Sequence, residues 1–308
     1  MIETGTARQP IPERLNIALL LIVIVTSWVL LWSAAHLALV WALPAALIFM
    51  HVNNTAFVLM HEAVHGIFSE KKWLNNLAGS VCAALFPTAF HLQRVAHLGH
   101  HRRNRTDAEI YDYFLPGQSR LLRNFQLYAG NLSGLYWLCI PLSNLIYLLA
   151  PWLYRSSWFI HGVARALGFE PFVKEIAQQG LMLIWFECLW ALAYQVVIWN
   201  LLDLNWQGWL LCYGMFALYW SALQYVDHAW SPRDVRNGAW NLKVTPLSRA
   251  LALNYQCHLA HHQQPEVPWL YLPQLVSKND PQHTFWKIYF SLWGGVKPAP
   301  PMGSKALI

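Results

Sequence analysis

From Ile17 to Met60 nearly every position is apolar, and the run is not alternating. Its length exceeds one bilayer crossing of about 20 residues and fits two. The natural break lies between Ser33 and Leu37, which predicts helices over 17–35 and 38–60 and leaves His36 at a membrane surface, a cheaper place than mid-bilayer. Two later runs, 181–202 and 206–226, are also long enough to cross and are separated by a turn around Asp203 and Asn205, predicting a second hairpin. The stretch from Phe125 to Pro151 is apolar but interrupted by Gly130, Asn131, Ser133, Gly134, Pro141 and Asn144. A single crossing there would put the polar groups before and after it on opposite faces, so it is read as interfacial or re-entrant. Leu74 to Phe90 is too short and too rich in small and polar residues to span, and is read as interfacial too. With no internal repeat, low-complexity tract or linker, residues 1–308 read as one integrated domain. The expected fold is an all-α integral membrane protein: four transmembrane helices in two hairpins, interfacial helices, and a cytoplasmic cap that carries the histidines described below.

Composition strengthens this. The chain is 56% apolar, 15% aromatic and 12% charged, about half the charge of an ordinary soluble domain. Its +6 balance, 21 Lys and Arg against 15 Asp and Glu, is too mild and dispersed to argue nucleic acid; anionic lipid or an acidic protein is the partner it suits. Neither predicted turn holds a Lys or Arg. Arg8, Arg14, Lys71, Lys72, Arg94, Arg102, Arg103, Arg105, Arg233, Arg236 and Lys243 all lie beyond the other ends of the hairpins. The positive-inside rule then places both termini and the polar bulk of the chain in the cytoplasm. The apolar run from Ile17 outlasts a signal peptide core of about 7–15 residues, so it is read as an uncleaved anchor. Cys82, Cys139, Cys188, Cys212 and Cys257 stand far apart without a CxxC, so no thiolate or iron-sulfur ligand set is encoded.

The chemistry is in the histidines. HEAVHG, His61 to Gly66, contains HExxH, in which two imidazoles one helical turn apart hold zinc and the Glu activates water. It does not stand alone. His97, His100 and His101 form HLGHH; His258, His261 and His262 form HLAHH. Positions i, i+3 and i+4 share a helix face, so each box aims two or three imidazoles the same way. Any single one reads equally well as a structural histidine. Eight crowded together without a cation would be costly to desolvate, which argues a metal site. Eight are too many for one tetrahedral zinc and suit two ions with four or five nitrogen donors each. Imidazole accommodates iron and zinc alike, leaving the element open.

Those three boxes in that order, with two hairpins that leave every box cytoplasmic, make the chain resemble the membrane fatty acid desaturase and hydroxylase superfamily over roughly Phe57 to Pro273. HHQQPEVPWLYLP after the third box looks like the family's usual continuation. The resemblance implies two iron ions, O2 as cosubstrate, electrons from outside, and C–H cleavage on acyl chains, alkanes or carotenoids. It also implies a ninth ligand just after the last span, where QYVDHAW supplies His228. Related acyl-CoA desaturases have an Asn four residues earlier that reaches one iron through water; Gln224, with a longer arm, stands there. Asp227 is the carboxylate beside a ligand candidate, suited to orienting an imidazole N–H, or else a solvated residue at a helix end.

Glu62 is the general base in a protease and an orienting neighbour of two ligands in a di-iron site. Membrane proteases with HExxH add a later acidic ligand within a span. Asp203 lies in a turn on the wrong side and Glu187 alone in an apolar run, so the zinc-protease reading is remote. Arg94, Arg102, Arg103 and Arg105 around the second box read as positive charge at a lipid surface, or as a docking or carboxylate-pairing set. His36, His51, His161 and His283 read as structural, and His91 is left open.

Two electrons are needed per turnover, yet the chain has no GxGxxG fingerprint, thiolate cluster or haem module. A separate ferredoxin, rubredoxin or cytochrome with its reductase is therefore implied. The expected substrate is a long apolar chain in membrane lipid, entering a tunnel between the hairpins lined by some of the 18 Trp and 14 Phe. The leading reaction is desaturase-like oxidation of a fatty acid or fatty acyl chain. Oxidative decarboxylation of free fatty acids to 1-alkenes, and hydroxylation or ketolation of alkanes or carotenoids, are the alternatives.

Overall fold

The computed structural model describes residues 9–281 and 283–308; Arg8, counted above among the cytoplasmic charges, lies outside the described residues. Lipid offers backbone groups no hydrogen-bond partner, which favours helices, and helices dominate. They are, in chain order, α1 (Glu13–His36), α2 (Leu39–His65), α3 (Lys72–Leu85), α4 (Phe90–Arg103), α5 (Arg120–Phe125), α6 (Leu135–Leu149), α7 (Arg165–Leu167), α8 (Glu170–Ala177), α9 (Leu181–Leu201), α10 (Trp206–Val226), α11 (Pro246–Leu251), α12 (His258–Gln263) and α13 (Phe285–Leu292). Among the described residues, strand pairing amounts to two two-residue parallel ladders, Tyr113–Phe114 with Lys297–Pro298 and Leu242–Lys243 with His283–Thr284, and a single antiparallel bridge between Asn241 and Cys257.

Among the described residues three helices, α1, α2 and α9, are long and apolar enough to cross a membrane. In α2, 61% of the apolar window is buried inside the protein, against 22% in α1 and α9, so α2 is the central helix and the other two turn most of their surface outward. The fourth expected span, α10, forms over the predicted residues and has the length of α9, but it falls short of that apolarity. Much of it is enclosed: Tyr213, Phe216, Trp220 and Ser221 are buried, and a helix covered by neighbours need not be apolar all round.

The two hairpin turns meet at one end. Asn205 Nδ2 donates to the Ala35 carbonyl at 2.5 Å, and His36 Nε2 lies 2.9 Å from the Leu202 carbonyl oxygen. At Gly208 an added Cβ would stand 2.6 Å from Ala35 backbone atoms, so a bare residue is required there. At the opposite end α2 runs five residues beyond its predicted limit, through His65, and stops at Gly66, which takes φ +75 as a left-handed cap. His61 and His65 therefore ride the last turn of a spanning helix.

The interrupted stretch is a corner. α5 continues as a π-turn over Gln126–Leu132 and bends by 84° into α6. Gly134, at φ +90, makes the bend where an added Cβ would meet the backbone of α10. After α6, a 3-10 turn (Pro151–Arg155), a π-turn (Phe159–Ala164), α7 and α8 complete this layer beside the hairpins.

The loop after α4 is fastened to the end of α10 by a buried ion pair. Arg105 and Asp112 are both 0% exposed, with Nη1 2.9 Å from Oδ1. Tyr225 Oη donates to the same Asp112 oxygen at 2.5 Å, and the Trp230 amide donates to the other at 2.7 Å. Reading Arg105 as lipid-surface charge is therefore wrong: its partner lies seven residues away, and that closure depends on a tertiary fold. Arg102 and Arg103 both pair with Glu175, at 3.0 and 2.6 Å.

Candidate metal centre

Four elements bring the imidazoles together: the last turn of α2, the C-terminal half of α4, the residue pair after α10, and α12. Their Nε2 atoms gather in two groups, each with all donors within 4.8 Å of one another. His61, His65, His97, His101 and His261 make the first; His100, His228, His258 and His262 make the second. All nine sequence candidates are present, divided five and four. His100 and His101 are neighbours in sequence yet belong to different groups, because successive helix residues diverge by about 100°.

The distances within each group are informative. In the first, His61 and His261 are 3.1 Å apart, His65 and His97 2.9 Å, and His101 lies 3.0 Å from both His97 and His261. In the second, His100 is 3.1 Å from His228 and 3.3 Å from His262, and His228 is 2.9 Å from His258. A neutral imidazole offers at Nε2 either one hydrogen or one lone pair. His97, His101 and His261 each touch two other Nε2 atoms, a pattern that simple hydrogen bonding serves poorly. Lone pairs converging on a cation account for it. With metal–nitrogen bonds of about 2.0–2.1 Å, donors at a right angle lie about 3.0 Å apart and at the tetrahedral angle about 3.4 Å. The four contacts of the first group match the right-angle edge, as expected of more than four ligands, and those of the four-membered second group span both values.

Burial holds the donors ready. It drives His97, His228, His258, His261 and His262 well below the ordinary imidazole pKa, with neighbouring imidazoles adding to the effect. These rings are neutral at neutral pH, as ligation requires. His228 is oriented by its Nδ1, which donates to the Gly238 carbonyl at 2.8 Å. His100 Nδ1 lies 3.3 Å from Glu109 Oε2. Sequence reasoning missed both partners: Glu109 and Gly238 sit in loops whose spacing from the boxes carries no signal.

The expected supporting residues fare differently. Asp227 lies between His258 Nδ1 (3.6 Å) and His228 Nε2 (4.0 Å), fully buried rather than solvated, and burial holds its carboxyl well above the usual range. Glu62 is 3.7 Å from His61 Nδ1 and accepts instead from the Trp269 amide at 3.0 Å, which ties the chain after the third box to α2. Gln224 Oε1 accepts from Tyr255 Oη at 3.3 Å, and the Tyr255 ring packs on His61 and His258. His36, His51, His91, His161 and His283 all lie outside both groups. His91 pairs with Glu187 at 2.7 Å, His51 packs on Tyr219, His161 joins Glu170, and His283 packs on Trp240.

A cavity of about 290 Å³ reaches both groups, touching His61 and His97 on one side and His100, His228 and His258 on the other. It runs between α2 and α10, one helix from each predicted hairpin. Its walls come from α2, α4 and α10 and from the layer over 131–173; among the described residues its one lining tryptophan is Trp220. The sequence could not show that the α5–α6 corner folds over the boxes.

The family model described as Fatty acid desaturase matches residues 38–289, from the start of α2 into α13, and encloses all nine imidazoles. No curated protein matches the chain.

Proposed function

The chain belongs to the fatty acid desaturase family, and from that premise we propose that it is an oxygen-dependent di-iron oxidase of a fatty acid or fatty acyl chain. The observation that carries this is the five-and-four division of nine Nε2 donors beside one largely apolar cavity. One iron would be held by His61, His65, His97, His101 and His261, the other by His100, His228, His258 and His262. Bound there, the pair would supply two-electron reduction of O2 and the abstraction of hydrogen from an unactivated C–H bond.

The protein's own groups do the rest. Gly238 fixes the tautomer of His228, and Glu109 stands at the corresponding nitrogen of His100. Phe57, Ile140, Phe169 and Phe172 line a path for a methylene chain and exclude water from it. The electrons come from a separate ferredoxin, rubredoxin or cytochrome with its reductase. Both termini and all three boxes lie on the cytoplasmic face, and the chain acts as one domain. Glu109→Ala is expected to lower metal affinity or turnover by about 10–100-fold, measured by iron content after dialysis; unchanged retention would remove Glu109 from this role.

A second reading has its own support. The polar residues of the cavity include Gln224, Tyr255 and Asn104 at the imidazole end; Asn104 Nδ2 donates to the Gly238 carbonyl that also holds His228. A carboxyl group seated there puts the carbon next but one to it near the metals. Loss of one C–H hydrogen and the carboxyl proton with carbon dioxide, in place of two C–H hydrogens, then gives a 1-alkene for the same O2, two electrons and two protons, with two waters as the other product. Mass spectrometry of products from purified protein, reductant, O2 and a panel of acids and esters separates the two. An internal alkene supports the first and a terminal alkene one carbon shorter the second. Near two irons per chain is expected in either case; one zinc without iron would return the HExxH protease.

A further inference from the structure

Leu135, Leu138, Leu142, Leu145 and Leu149 mark one face of α6 at spacings of three and four, and each is 45–66% exposed. In a chain with spanning helices, a stripe of that width with no protein over it meets acyl chains rather than water. Leu142, at its centre, also lines the cavity. The exposed members of the cavity wall are Ala108, Cys139, Leu142 and Leu167, and none of them carries a charge. The opposite end of the same cavity is bounded by His61, His97, His100, His228 and His258. An apolar outer face is thus continuous with both groups of imidazoles.

We propose that the gap bounded by Cys139 and Leu142 of α6 and by Leu167 is a lateral portal through which an acyl chain passes from the bilayer to the metal centre without crossing water. The identity of the reaction at the inner end rests on the family reading above; the portal rests on the cavity and its rim. The substrate class follows. A membrane-dissolved chain with a small head group suits this rim. A chain carried on a charged nucleotide or on a soluble protein does not, because its carrier must stay in water while this gap opens on the apolar face of α6.

Cys139 is a built-in reporter, exposed where Cys82, Cys188, Cys212 and Cys257 are buried. The full-length protein in phosphatidylcholine vesicles is treated with N-dodecylmaleimide or with a negatively charged, membrane-impermeant maleimide, and the labelled peptide is identified by mass. The dodecyl reagent should label Cys139 at least about tenfold faster, since each buried methylene favours the lipid phase. A long-chain fatty acid should slow that labelling, and Leu142→Trp, by narrowing the gap, should slow it too. Equal labelling by the charged reagent, or no effect of fatty acid and of Leu142→Trp, would overturn the portal. Labelling as expected from a protein that never yields an oxidised product would leave the portal standing and remove the proposed reaction instead.

Discussion

Replacing His100 with Ala is expected to lower turnover by at least about a thousandfold, the scale on which a catalytic metal acts. His100 Nε2 touches both His228 and His262, so its loss leaves three donors where four converge and opens one side of that group. His261→Ala, which removes the nitrogen shared by His61 and His101, should be similarly damaging, although four donors remain in its group. His51→Ala supplies the comparison. That ring packs on Tyr219 outside both groups, and its removal should leave turnover within a few-fold. Iron content and product formation measured together make the test sharp. Activity of His100→Ala within tenfold of the unmodified protein would sink the two-ion assignment.

Asp112→Asn should be the most destabilising conservative change outside the imidazoles. Removing one partner from a fully buried ion pair leaves the other charge without compensation and costs about 3–5 kcal/mol. At about 2–4 °C per kcal/mol for larger domains, the thermal midpoint in detergent should fall by roughly 6–20 °C. The double change Asp112→Asn with Arg105→Met should recover part of this, because no charge is then stranded. Asp107→Asn breaks the Arg233 pair at 2.6 Å, but Asp107 is 67% exposed and the buried Arg233 keeps the Arg105 and Pro300 carbonyls as acceptors, so the cost should stay below that of Asp112→Asn. A midpoint for Asp112→Asn equal to that for Asp107→Asn would show that the Arg105 pair does not fasten the cap.

The imidazole boxes were legible because helical spacing alone puts i, i+3 and i+4 on one face, and three such boxes have no economical explanation without a cation. Their division was not. His97 and His101 join a ring from α12 on one side while His100 joins another on the opposite side, which depends on how α4 crosses between α2 and α12. The long helices were legible from apolar length, yet α10 turned out less apolar than α9 because enclosure, not lipid, sets its composition. Glu109 and Gly238 reach their imidazoles through loop geometry that no periodicity encodes. Arg105 was misread for the same reason: a cation beside a box looks solvated until the loop that brings Asp112 is folded.

The 3.0 Å between His101 and His261 also constrains parity. Two rings in contact stand on one face of the membrane, so the chain between them must cross an even number of times. α10 runs from the Ala35 contact of Asn205 to the imidazoles beside α2 and is tied to α9 by the Gln195–Tyr213 hydrogen bond, and as the two later expected spans they make two crossings. With those two crossings parity is kept when the 84° corner of α5 and α6 is re-entrant and not a span. A lost crossing between the first and third boxes would strand one across the bilayer from the other, so their contact doubles as a check that the segments between them have been threaded the right way.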